Sequence, residues 1–236
     1  AAGLWLAAGA WLEADFRSML GTPVYILHGK YDCAAHYSTP HPEPRHHDWC
    51  GVSFARAAHE LMLRDDIAHV YDEHVSWEPT QMAVRRFVNW AVRQKRQPFA
   101  PRIALVTPRG SADPALEMRP HSRWLELNEV ADGEIDFDKI MLTGPNIAHT
   151  IDELNAQSYC LTKVRHKGSR ILACNDGNNH FTVTAENVKV FTIFTAPGNS
   201  DPAKPFTVEC NGRKYSCRAG KSDRRPPYTA FIRVEL

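Results

Sequence analysis

Apolar and polar positions follow two rhythms along the chain. Up to about Gln97, short apolar runs alternate with helical stripes. Pro23 to His28 (PVYILH) is continuous and apolar, the pattern of a strand buried on both faces. Phe54, Ala57, Ala58, Leu61 and Met62 recur at i, i+3, i+4, i+7 and i+8, one face of an amphipathic helix with Ser53 as a candidate N-cap. Ile67 to Tyr71 (IAHVY) reads as a second strand. Val84, Phe87, Val88 and Ala91 repeat the helical stripe, with Pro79 near its start. Strand, helix, strand, helix predicts a right-handed parallel crossover and an α/β layer.

From Pro101 the rhythm changes. Strand-like runs follow one another at 103–107, 123–130, 158–164, 180–195, 206–210, 214–217 and 228–236. Asn211-Gly212 stands between two of them, the favoured two-residue hairpin turn. Ile151 to Gln157 is the one short helical candidate in this stretch. The expected fold is therefore α/β followed by all-β. Residues 1–97 form the α/β part and residues 101–236 an antiparallel β-sandwich-like accessory domain. The boundary is expected near Arg96-Gln97-Pro98.

Composition narrows the function classes. Among 236 residues, 43% are hydrophobic, and Lys+Arg 28 against Asp+Glu 27 leaves a net charge of +1. Nothing in that balance argues for a nucleic-acid or anionic-membrane partner. Dominant disorder is excluded, and no apolar run reaches the ~18–20 residues of a membrane span. Six cysteines include no CxxC pair, so there is no zinc-ribbon or thioredoxin signal. Cys210 and Cys217 flank the predicted hairpin and are the one candidate bridge. Ala1 to Leu12 is uncharged and mostly apolar. It lacks the basic start of a signal peptide and reads instead as an internal segment of a longer protein.

The most specific chemical signal is Pro23-Val24-Tyr25-Ile26-Leu27-His28-Gly29-Lys30-Tyr31-Asp32. A buried strand ends in His-Gly, and an acid follows three residues after the glycine. Functional groups gather at the carboxyl ends of parallel strands, where Asp32 could orient a histidine. By itself the pattern equally fits an Asx-turn closing the strand.

PVYILHGKYD resembles the acid strand of α/β-hydrolase-superfamily serine hydrolases, specifically the prolyl-oligopeptidase-like and dienelactone-hydrolase-like esterases and peptidases. The order that follows is similar too: a helix at 53–63, a strand at 67–71, His74, then a helix at 80–95. The stretch NHFTVTAENVKVFTIFTAPGNSDPAKPFTVECNG resembles the β-rich tail of some large bacterial members. The resemblance implies the C-terminal half of an α/β-hydrolase core followed by that tail. It also implies a serine–acid–histidine triad in that chain order, with Asp32 as the acid and His74 as the base. The substrate would be a small-molecule ester or peptide, and no cofactor or metal would be used; the compartment stays open, the resemblance leaning toward secreted or periplasmic.

Two features depart from the family. Its histidine loop usually reads Gly-His followed by an aromatic, whereas this chain has Glu73-His74-Val75-Ser76-Trp77. The G-x-S-x-G nucleophile elbow is absent. Gly51-Val52-Ser53-Phe54-Ala55 is the nearest approach, but it follows Asp32 and opens the predicted helix. The chain alone is thus expected to be inactive, with the first half of the core, including the nucleophile, lying upstream.

Three further features bear on function. His36, His41, His46, His47, Asp48 and Cys50 crowd one proline-rich loop. Their chemistry suits zinc or copper, but no two of the histidines stand at helical i, i+4 spacing, and the bland reading is a polar insertion bordering the site. His69, inside a strand, reads as structural. Trp124, in an alternating run, fits either the core or a sugar-stacking face. The alternative to a hydrolase is therefore a non-catalytic, hydrolase-derived protein that uses its β-domain to bind a ligand or carbohydrate.

Overall fold

In a computed structural model, residues 4–7, 13–30, 52–75, 81–108, 121–143, 156–197, 199–222 and 228–236 are described. The chain divides into two compact units, Ala1–Arg96 with Phe137–Val164, and Gln97–Asp136 with Arg165–Leu236.

The first unit is built on three parallel strands. Strand β3 (Val24–Gly29) lies between β1 (Leu4–Ala7) and β4 (His69–His74). Every residue of β3 is buried, as its unbroken apolar run requires. Tyr25 and Leu27 pack against Ala83, Phe87 and Trp90 of helix α2 (Gln81–Ala91). Side chains alternate across a strand, which leaves Val24, Ile26 and His28 for the opposite face, where helix α1 (Val52–Arg64) packs.

The α1 stripe of Phe54, Ala57, Ala58, Leu61 and Met62 is fully buried. The helix ends in a Schellman motif: Ile67 N–H donates to Met62 O (2.9 Å), Asp66 N–H donates to Leu63 O (3.2 Å), and Asp66 has φ 54°. This turn delivers the chain into β4. A short strand β2 (Glu13–Ala14) pairs with Lys139 and Asp138 of β8 (Glu134–Thr143). Asp138 receives Arg64 and Lys163, at 2.8 and 2.6 Å.

The second unit is two sheets around one core. In the first sheet, β14 (Gly220–Lys221), β15 (Ala230–Glu235), β11 (Val188–Thr195), β7 (Leu125–Val130) and β6 (His121–Ser122) pair antiparallel in that order. In the second, β9 (Ser158–Gly177) pairs antiparallel with both β5 (Arg102–Pro108) and β10 (His180–Glu186). Strand β10 then runs parallel to β12 (Phe206–Cys210), and β12 antiparallel to β13 (Arg213–Cys217). Ile103, Ile171, Phe181, Phe206 and Val208 from this sheet meet Leu125, Phe191, Ile193 and Ile232 from the other. The Asn211-Gly212 turn has φ of 49° and 80°, both in the left-handed region that a type I′ turn needs.

This architecture corrects the expected fold class. The chain is predominantly β, with mixed and antiparallel sheets, rather than half of an α/β-hydrolase core joined to an antiparallel domain. Among the described residues there are fifteen strands against two α-helices and one short 3-10 helix. Among the described residues, parallel pairing joins β1, β3 and β4, and β10 with β12. The helical stripes at 54–62 and 84–91 do form α1 and α2, but period-two alternation governs far more of the chain. The candidate turn of helix at Ile151–Gln157 lies largely outside the described residues.

Candidate functional site

The parallel register of β3 and β4 sets Gly29 opposite His74, at the carboxyl edge of both strands. Lys30 N–H donates to His74 O at 2.7 Å, so the pairing extends one residue past Gly29. His74 is buried, at 9% exposure. Gly29 itself places no side chain beside His74 at that register position. Asp32 follows Lys30 by two residues and lies outside the described residues, as does the histidine-rich segment from His36 to Cys50.

The two faces of β4 carry different chemistry. Asp72 and His74 share the face toward α2 by alternation. Asp72 accepts two hydrogen bonds from Arg86 (2.7 and 2.8 Å) and one from the Tyr25 hydroxyl (2.6 Å). Burial pushes the Asp72 carboxyl up, but the Arg86 and Tyr25 hydrogen bonds outweigh it and leave the group below its ordinary value. Burial and the neighbouring carboxylate raise the Tyr25 hydroxyl to about 12. Asp72 is thus a fixed anion on the face that His74 occupies. The sequence reading missed Asp72, Tyr25 and Arg86. Only the period-two spacing of Asp72 and His74 hinted at the first.

The other face carries His69, Tyr71 and Glu73. Arg56 of α1 holds Glu73 through two hydrogen bonds (2.7 and 2.9 Å), and Tyr71 donates to the same carboxylate at 2.6 Å. The Arg56 contact, opposed by burial and aided by Tyr71, keeps Glu73 below the usual carboxylate range. His28 falls on this face, buried, with Nδ1 at 3.1 Å from Gly29 O. His28 and His74 therefore stand on opposite faces of the sheet and do not form one constellation. His69 is tied into the turn through Nδ1 and Ile67 O (2.7 Å).

Ser53 is buried inside the first turn of α1 rather than exposed on an elbow. Trp124 is fully buried and donates Nε1–H to Ala100 O at 2.8 Å, with Phe181 at 5.6 Å between ring centres. It is a core residue and offers no face to a sugar. Cys210 and Cys217 are free thiols. The hairpin register sets Cys210 against Arg213 beside the turn and Cys217 against Phe206 at the far end, too far apart to bridge.

Among the described residues, no group of three or more His, Cys, Asp or Glu is placed to hold a metal ion. No helix among them is long and apolar enough to cross a membrane. A scan against protein-family models and searches of curated proteins and of solved structures found no match.

Proposed function

We propose that this chain carries the acid and histidine of a serine-hydrolase triad that cleaves ester or peptide bonds, the nucleophile coming from residues outside this sequence. The supporting observation is the β3–β4 register, which puts His74 beside Gly29, three residues before Asp32, at one strand edge. The resemblance of PVYILHGKYD to the acid strand of prolyl-oligopeptidase-like and dienelactone-hydrolase-like enzymes supports the same assignment. The reading rests on this local strand pair and not on a complete hydrolase core.

In this scheme His74 takes the proton from the attacking serine and returns it to the leaving group. Asp32 holds the imidazole tautomer and stabilises its charged form. Asp72, held by Arg86 and Tyr25, adds negative potential on the same face, and Asp32 is the orienting acid of this scheme. An oxyanion hole would accompany the nucleophile.

The test expresses the chain together with the coding sequence upstream of its Ala1. The product is assayed on p-nitrophenyl esters and chromogenic peptides, and labelled with a fluorophosphonate. The expected result is a labelled serine and hydrolysis that falls by about 10⁴-fold or more in His74→Ala. Hydrolysis unchanged in His74→Ala, or no reactive serine in the longer product, would overturn the assignment.

A further inference from the structure

Outside that strand edge, His59 of α1 and His69 of β4 stand in direct contact. His59 Nδ1 lies 2.7 Å from His69 Nε2, with ring centres 4.9 Å apart. The network assigns the tautomers: His69 Nδ1–H donates to Ile67 O, so His69 Nε2 is the acceptor and His59 Nδ1 the donor. Two imidazoles sharing one proton hold two ring nitrogens face to face, with one proton between them.

We propose that His59 and His69 form a two-imidazole site for a divalent transition-metal ion of the zinc, nickel or copper class, with water completing the coordination. Four observations carry this. First, a metal-ligating histidine typically donates its other ring N–H to a backbone carbonyl, which fixes tautomer and ring direction. His69 does so with Ile67 O. Second, the rings are mounted on rigid elements, a helix and a strand joined by the Schellman turn at Asp66 and Ile67. Third, the Tyr71 ring stacks on His59 at 4.7 Å and 13°, fixing its plane. Fourth, both histidines are only partly buried, so an ion can reach them from solvent.

Two nitrogens about 2.0–2.1 Å from one tetrahedral ion stand about 3.3 Å apart. From 2.7 Å the nitrogens therefore need to separate by about 0.6 Å, and both rings to turn so that each nitrogen points at the ion rather than at the other ring. The His59 proton moves from Nδ1 to Nε2 through water, so both ligands stay neutral imidazoles. Copper should bind tightest of the three, in line with the general affinity order of divalent metals.

The test titrates the chain with zinc chloride and copper sulfate at neutral pH, following melting temperature and affinity. The comparison proteins are His59→Gln, His69→Gln and a loop variant with His36, His41, His46 and His47 all changed to Gln. Saturating zinc is expected to raise the melting temperature by about 2–6 °C. Each single variant should lose affinity by about tenfold or more, while the loop variant keeps it. Affinity retained in both single variants, or lost in the loop variant alone, would overturn the site. If a single variant fails to fold, the copper spectrum of the loop variant decides. Electron paramagnetic resonance should show coupling to two imidazole nitrogens, and a spectrum without it removes the proposal.

Discussion

Gly133 and Asn187 show how much of the second unit turns on single residues. A Cβ on Gly133 would overlap the Asn187 amide. Asn187, with φ 56°, stands in the left-handed region. Its Nδ2 donates to Glu134 O and Gly168 O (3.1 and 2.9 Å), and its carbonyl accepts from Ala131 N–H and the Ser169 hydroxyl (2.8 and 2.9 Å). One side chain thus joins the segment ahead of β8 to β9 and to the β10–β11 corner. Replacing Gly133 by Ala forces that amide aside, and the expected loss is about 1–3 kcal/mol, measured by denaturant unfolding. A loss below a few tenths would mean that Asn187 repacks freely. None of this was legible in the sequence, because the side-chain partners of the hub lie 18, 19 and 53 residues from Asn187 along the chain. Trp124 is the opposite case. Its place in an alternating run pointed to a sheet, and only the facing sheet decided that it is core.

At the scale of elements, β4 is the informative strand. Its two faces carry two separate charge networks, and the one toward α2 makes stability depend on pH in a defined way. The depressed Asp72 carboxyl contributes stability above its ordinary value near 4, and this is lost as pH falls through the lower folded-state value. The raised Tyr25 hydroxyl contributes below its ordinary value near 10, and this is lost as pH rises toward about 12. Unfolding free energy measured against pH should therefore decline less steeply above pH 10 in Tyr25→Phe than in the unaltered chain. Identical slopes would contradict the assignment of that hydrogen bond. Helices α1 and α2 were legible because their apolar stripes are regular. Strand β8 was not: Glu134 to Asp138 alternate, with Ile135 and Phe137 buried, but the phase breaks at Lys139 and Ile140, and acidic residues and lysine are poor strand formers. The middle of β9 escaped for the same reason, since Arg165, His166 and Lys167 give it a loop-like composition.

At the scale of the whole molecule, the misread fold class has one cause. A strand–helix–strand–helix pattern in the first hundred residues suggested that layer as the dominant architecture, but it supplies only three parallel strands and the helices α1 and α2. Everything else with regular structure among the described residues, apart from the short 3-10 helix, is strand. The candidate site is a separate matter. His74 was named from motif order alone, and the register sets it opposite Gly29. Its surroundings were hidden, because Tyr25, Asp72 and Arg86 meet only through strand pairing and helix packing. The central claim is that Asp32 and His74 act as a pair. A double-mutant cycle on the chain with Asp32→Ala, His74→Ala and both measures this most directly, by denaturant unfolding at neutral pH. A coupling energy of about 0.5–3 kcal/mol is predicted for residues in contact. Single losses that add within about 0.3–0.5 kcal/mol would contradict it.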